Sequence, residues 1–326
     1  MLLGIIVVAL LLLSSPLGSE AQPAVHRIGV ISIEGPRSPA FDALMRPMIE
    51  QLRTDGWGEG RNIAVEYRFD EGKRERLGVL AAELVNFKVS AIVAISTPAA
   101  LAAKQVTTTI PIVMVRVGDP VASGLVASLQ RPGGNVTGTA LLGPEITAKQ
   151  MELLKEGVPH ARTLGVLFDP RNPAQVASLA ESLHAAAAAV GLKLHAIQVE
   201  ASAPLDAVFG EAISKRCDGL VVWPLPRPAG WIREAANLAT RHRLPTMGMF
   251  RSYAEQGMLM SYAPRADEQF QRAATYIDRI LRGAKPSDLA IEQPTRFDLV
   301  VNVKVATALG LTIPPALLRR ADHLVD

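Results

Sequence analysis

The residues able to do chemistry in this chain gather where apolar runs end. Five such ends carry polar or aromatic groups: Ser32, then Ser96-Thr97-Pro98, Gly118-Asp119-Pro120, Asp169-Pro170-Arg171-Asn172-Pro173 and Trp223-Pro224-Leu225-Pro226. A further run ends at Phe250. Hydroxyls and free N–H groups at helix starts bind anions, carboxylates bind cations, and aromatic rings offer a face for stacking. That is the chemistry of non-covalent binding. Ser, Thr or Asp directly before Pro is also ordinary N-cap and N1 chemistry, so capping explains each edge taken singly. All five together fit a cleft, because ligands of open α/β sheets bind outside the carboxyl ends of the strands.

Catalytic signatures fail by comparison. The chain has no GxSxG elbow, no GxxxxGK[ST] loop and no HExxH pair. The glycine-rich GWGEG at 56–60 follows a helical pattern and reads as a C-cap and turn. The six histidines are scattered without ligand spacing, and His242 suits the basic last turn of a helix. A single cysteine, Cys217, excludes an intramolecular disulfide and a cysteine-based zinc site. No catalytic residue, metal or cofactor is expected.

These edges must be positioned by something large. At 326 residues, with 49% apolar and 20% charged, the chain folds around sizeable cores and is expected to form two domains. A net charge of +3 with dispersed basic residues excludes a nucleic-acid footprint. Residues 2–13 are apolar, about the length of a signal-peptide core and too short to span a bilayer. Ser19 and Ala21 then supply small residues for cleavage, giving a leader over 1–21, a mature start near Gln22 and a periplasmic location.

From residue 27 onward, β-branched runs alternate with amphipathic stretches. Strands are expected at 27–33, 63–69, 91–96, 110–117 and 136–142, with helices between them, one over 121–129. Pro47 should kink or divide the first helix. A second half repeats the rhythm, with strands at 164–168, 193–199, 219–223 and 245–250, then 258–262 and 297–301 around a helix at 267–281. Such alternation predicts α/β architecture: two doubly wound parallel-sheet lobes facing each other across a cleft.

The blocks IPIVMVRVGDPVASGLVASLQRPGGNVTG, KQMELLKEGVP, GVLFDPRNP and ATRHRLPTMGMFRSYAEQGMLMSYAP closely resemble the TrpX-like ABC-transporter substrate-binding protein family, and the likeness runs from Arg27 to Asp322. The resemblance implies a type I periplasmic binding protein fold, with three crossings near 141–144, 249–252 and 292–296. The N-terminal lobe would comprise 22–142 plus about 252–284, and the C-terminal lobe 143–251 plus about 296–326. It implies no catalysis, a small-molecule solute of amino-acid type, aromatic ones included, an inner-membrane ABC permease as partner, and a monomer. The edge after Val222 departs from the pattern: many relatives carry an acidic residue where this chain has Trp223-Pro224-Leu225-Pro226. Within the cleft, Ser96 and Thr97 would serve a carboxylate, Asp119 or Asp169 an ammonium, and Trp223 and Phe250 an apolar or stacking contact, with Ser32 and Asn172 also expected to line the site. The rival role is a sensor module that presents its solute to a receptor kinase.

Overall fold

β1 (His26–Ser32) is buried from Ile28 onward, because helices cover both faces of its sheet. The computed structural model describes residues 25–33, 38–141, 144–172, 175–176, 179, 181–200, 203–225, 227 and 230–326. The leader expected over 1–21, residues 142–143 of the first crossing, and Pro173 and Pro226 lie outside the described residues.

The first lobe holds a parallel sheet in the order β2-β1-β3-β4-β5, with β2 Ile63–Phe69, β3 Ala91–Ile95, β4 Ile112–Val117 and β5 Val136–Ala140. Alternate residues of these strands feed two cores. Ile92, Ala94, Ile112 and Met114 face α2 (Leu77–Asn86) and α3 (Thr97–Val106), whereas Val93, Ile95, Val113 and Val115 face α1 (Pro39–Thr54) and a late helix at Ala266–Leu281. That two-sided burial is why the strands read as unbroken apolar runs.

α1 starts at Ser38, whose Oγ accepts from Phe41 N at 3.2 Å, and continues undivided past Pro47. The expected division into two helices does not occur. Proline costs about 3 kcal/mol inside a helix, but Met45, Met48 and Leu52 on the inner face are fully buried, and each contributes roughly 1.5–3 kcal/mol.

A helix over 121–129 is also absent. Asp119 Oδ1 accepts from Val121 N and Ala122 N, both at 2.9 Å, and one turn forms. Gly124 then takes φ +72°, the turn stops, and Leu125 and Val126 drop into the core.

The second lobe has a seven-stranded sheet, β12-β11-β10-β9-β8-β6-β7. Its strands are β6 Thr163–Phe168, β7 Lys193–Gln198, β8 Gly219–Val222, β9 Thr246–Gly248, β10 Met260–Pro264, β11 Phe297–Asn302 and β12 His323–Val325. All pairs are parallel except β10 with β11. Around it lie α4 (Pro144–Gly157), α5 (Glu181–Ala189), α6 (Leu205–Ser214), α7 (Trp231–Arg241) and α8 (Arg251–Glu255). The parallel α/β lobes are those the alternation predicts.

The second crossing needs correction. It was expected near 249–252, with 252–284 in the first lobe. Instead α8 and β10 stay with the second sheet, where β10 pairs with β9 and β11. The chain crosses only after Pro264, and α9 (Ala266–Leu281) buries Phe270, Ala273 and Ile277 beside α1. Period-two and period-3.6 patterns locate elements but say nothing of the sheet a strand joins. The chain returns past Glu292, whose N donates to Gly138 O at 3.0 Å, into β11.

Gly138 tests the β4–β5 seam. Its φ is +127°, and a Cβ there would lie 2.2 Å from Met114 O. Gly138→Ala should therefore destabilise the protein by about 2–5 kcal/mol, combining backbone strain with overpacking. Urea denaturation of the two proteins measures this; an unchanged midpoint would refute the steric account.

Candidate ligand-binding site

The carboxyl ends of both sheets open onto one cavity. The first lobe contributes Ile33 after β1, Arg74 after β2, Ser96, Thr97 and Pro98 after β3, Arg116 and Gly118 at the end of β4, and Leu141 after β5. The second lobe contributes Thr147 on α4, Asn172 and Gln175 after β6, Trp223 and Pro224 after β8, and Met249 after β9. The cavity is partly open to solvent and has a volume of about 70 Å³. At ~10–15 Å³ per water on that measure and ~30 Å³ of liquid volume per water, this is room for roughly five to seven waters, about the volume of an amino-acid-sized molecule.

Of the residues singled out from sequence, the cavity brings together Ser96, Thr97, Asn172 and Trp223. Ser96 sits at φ 97°, ψ 159°, a region essentially reserved for glycine. Its Oγ is buried, has no hydrogen-bond partner and does not cap α3. The positive end of α3 therefore faces the cavity with a spare hydroxyl beside it. Thr97 Oγ1 accepts from Gly118 N at 3.1 Å, tying the β3 and β4 edges together. Trp223 is only 3% exposed, and its Nε1 donates to Thr147 Oγ1 at 3.0 Å.

The other four do not line this cavity. Ser32 is wholly buried at the end of β1. Asp119 spends its Oδ1 on the turn that follows it. Asp169 is buried behind the wall: its N donates to Gln175 Oε1 at 2.7 Å, and its Oδ1 accepts from Arg171 N at 3.0 Å. Phe250 gives its ring face to Arg116, whose guanidinium carbon lies 3.5 Å from the ring centroid. This contact reaches from one lobe to the other, so the lobes touch across the cleft.

Sequence reading missed Arg74 and Arg116. The strand register shifts between Met114 and Val117, and Arg116 takes φ 57° within that irregularity. Bulges of this kind re-aim a side chain beside a site. Arg74 belongs to a 3₁₀ turn, Arg74–Arg76. Its side chain is 10% exposed, Nε and Nη1 have no hydrogen-bond partner, and Asp70 Oδ2 stands 3.7 Å from Nε. Burial lowers its pKa, while Asp70 and Asp169 raise it. Burial likewise lifts the Asp70 carboxyl above its ordinary range, against the Gly72 N–H and Arg74. A guanidinium stays charged regardless, so the cavity wall holds a desolvated cation whose Nε and Nη1 are buried and whose ion-pair partner is Asp70. Gln175 locks the opposite wall, donating from Nε2 to Pro224 O at 2.8 Å.

Two facing α/β lobes with polar strand ends on a shared cavity define a two-lobed ligand-binding protein. The ABC transporter substrate binding protein profile matches residues 27–325, and the chain belongs to that family. A tyrosine-binding protein of Clostridioides difficile is 26% identical over 282 residues, 84% of this chain and 78% of that protein. A conserved domain protein from Vibrio cholerae O1 biovar eltor superposes with TM-score 0.82 at 32% identity, over 92% of this chain and 99% of its own. An ABC domain from Streptococcus pneumoniae in complex with L-Trp gives 0.83 at 24%, over 93% and 100%. The fold is that of type I periplasmic binding proteins, and the family is one of binding proteins, not enzymes.

Two substitutions separate wall from scaffold. Arg74→Gln should destabilise the unliganded protein, because it leaves the buried Asp70 carboxyl without the cation that stands 3.7 Å from it. Asp119→Asn should stay within about 0.5 kcal/mol, since Asn caps as well as Asp. Thermal denaturation without ligand reads both; an unchanged midpoint for Arg74→Gln would refute the pairing with Asp70.

Proposed function

We propose that this protein is the periplasmic solute-binding component of an ABC importer. It takes a small, amino-acid-sized solute with a carboxylate and an apolar body, and delivers it to an inner-membrane permease. The observation that carries this is Arg74, a buried guanidinium with unbonded donors in a cavity shared by two lobes. A carboxylate suits a guanidinium fork. Ser96, Thr97 and the start of α3 lie on the same wall, and Trp223, Met249 and Leu141 provide apolar contact. The relatives named for tyrosine and solved with L-Trp support a solute of this size.

Binding and closure are coupled in this reading. Closing removes Arg74, Arg116 and the positive end of α3 from water, and the anion makes that state favourable, shifting an open–closed equilibrium. The leader over 1–21 would carry the chain to the periplasm and be removed near Ala21.

Native mass spectrometry of protein taken from cells identifies the solute, and X-ray scattering with and without it measures closure. The radius of gyration should fall on saturation, and Arg74→Gln should weaken binding at least about tenfold, the loss of one charge-assisted hydrogen bond. Superimposable scattering curves would refute the hinge reading, and undiminished binding the carboxylate role. The mature protein should begin near Gln22; a soluble periplasmic form retaining Met1 would refute processing.

A further inference from the structure

We propose that Arg116 and Phe250 form a latch that holds the two lobes together through the chain's own side chains. This goes beyond the binding role; it rests on the hinge reading above and not on the nature of the solute.

The first ground is how the two groups are mounted. Arg116 stands near the end of β4 in the first lobe, and Phe250 follows β9 in the second. The guanidinium carbon lies 3.5 Å from the ring centroid, a contact that exists only while the lobes are together. Each partner is held by its own lobe. Arg116 takes φ 57° where the β4–β5 register shifts, on a strand that is buried throughout. Non-glycine residues in that region of backbone space cluster at clamps and switches. Phe250 is the residue before α8: its O accepts from Tyr253 N at 2.8 Å. The Tyr253 ring meets the Phe250 ring edge-on, with centroids 5.7 Å apart.

The second ground is strength. Arg116 is 8% exposed, so its attraction to the ring face acts largely out of water. A cation–π contact shifts an open–closed ratio by about two- to thirtyfold, more when desolvated. That biases the equilibrium without freezing it, as a protein that must reopen requires. The charges beside it do less. Asp169 of the second lobe favours the charged form of Arg74 in the first, but Arg171 works against it. Arg116 also lines the cavity, so the latch lies beside the solute's place and must part before the lobes separate.

The test is the lobe-to-lobe distance in mature protein freed of solute, read by electron–electron double resonance. Spin labels go on Val79→Cys in α2 and Ile213→Cys in α6, both exposed, in a Cys217→Ala background. The parent should populate a short separation as well as a long one. Phe250→Leu and Arg116→Met should each lower the short-to-long ratio at least about twofold. The double variant should fall no further than the single ones, because each removes the same contact. Phe250→Tyr keeps the ring face and should match the parent. Thermal denaturation checks that each variant folds, and Phe250→Leu carries the test if Arg116→Met does not. An unchanged ratio in Phe250→Leu would overturn the latch, even if Arg116→Met had an effect of its own. A parent with only the long separation would overturn it too. In either case the hinge reading stands or falls separately, on the scattering change that the solute produces.

Discussion

Parallel sheets wound by right-handed crossovers put every strand's carboxyl end on one edge, and the helices begin there with their positive ends outward. That constraint governs this molecule. Both lobes present the same kind of edge, and the fold turns the two edges toward each other around one cavity. Arg74 and Arg116 add to a wall that helix starts already make electropositive. The edges already meet where Arg116 lies over the Phe250 ring, and in the proposed reading a solute carboxylate offsets the charge that the two edges bring together.

The scaffold spends its hydrogen bonds to keep those edges rigid. Gln175 ties the β6 loop to the β8 loop through Asp169 N and Pro224 O, and Thr97 ties β3 to β4 through Gly118 N. Trp223 is pinned to α4 through Thr147. Each bond uses a cleft side chain to position a neighbouring edge, which leaves few groups for the solute. Strain collects in the same place: Ser96 and Arg116, on adjacent strands, both have positive φ. Backbone outliers of this sort cost about 1–3 kcal/mol each and persist only where surrounding packing enforces them. Here the fully buried β3 and β4 supply that packing.

Much of this was legible in the sequence, for identifiable reasons. Strands buried on both faces advertise themselves as apolar runs, and strand ends follow from where those runs stop, so Ser96, Thr97, Asn172 and Trp223 could be placed at the cavity by position alone. The destination of 252–264 could not, because sheet membership is a long-range property: β10 pairs with β9 and β11, and only α9 crosses back. Helical periodicity over 121–129 misled because Gly124 ends the turn that Asp119 begins.

The segment VRVGDPV shows the limit most clearly. Its polar triplet draws attention to Asp119, and the Asx-type cap is what the structure contains there. Arg116, two residues into the same segment's charged and apolar mixture, is the group that lines the cavity and stacks on Phe250. A signal existed, since an arginine inside an otherwise apolar buried strand must be paired, bulged or facing a cleft. Arg74 offered no comparable signal. In EGKRERLG it reads as one of several solvated charges on a turn, and only the tertiary structure shows that this member is nine-tenths buried with its donors unbonded. Desolvation changes what such an arginine can do: in water its attraction for a carboxylate is worth little, whereas at a buried position the same attraction competes with far less solvent.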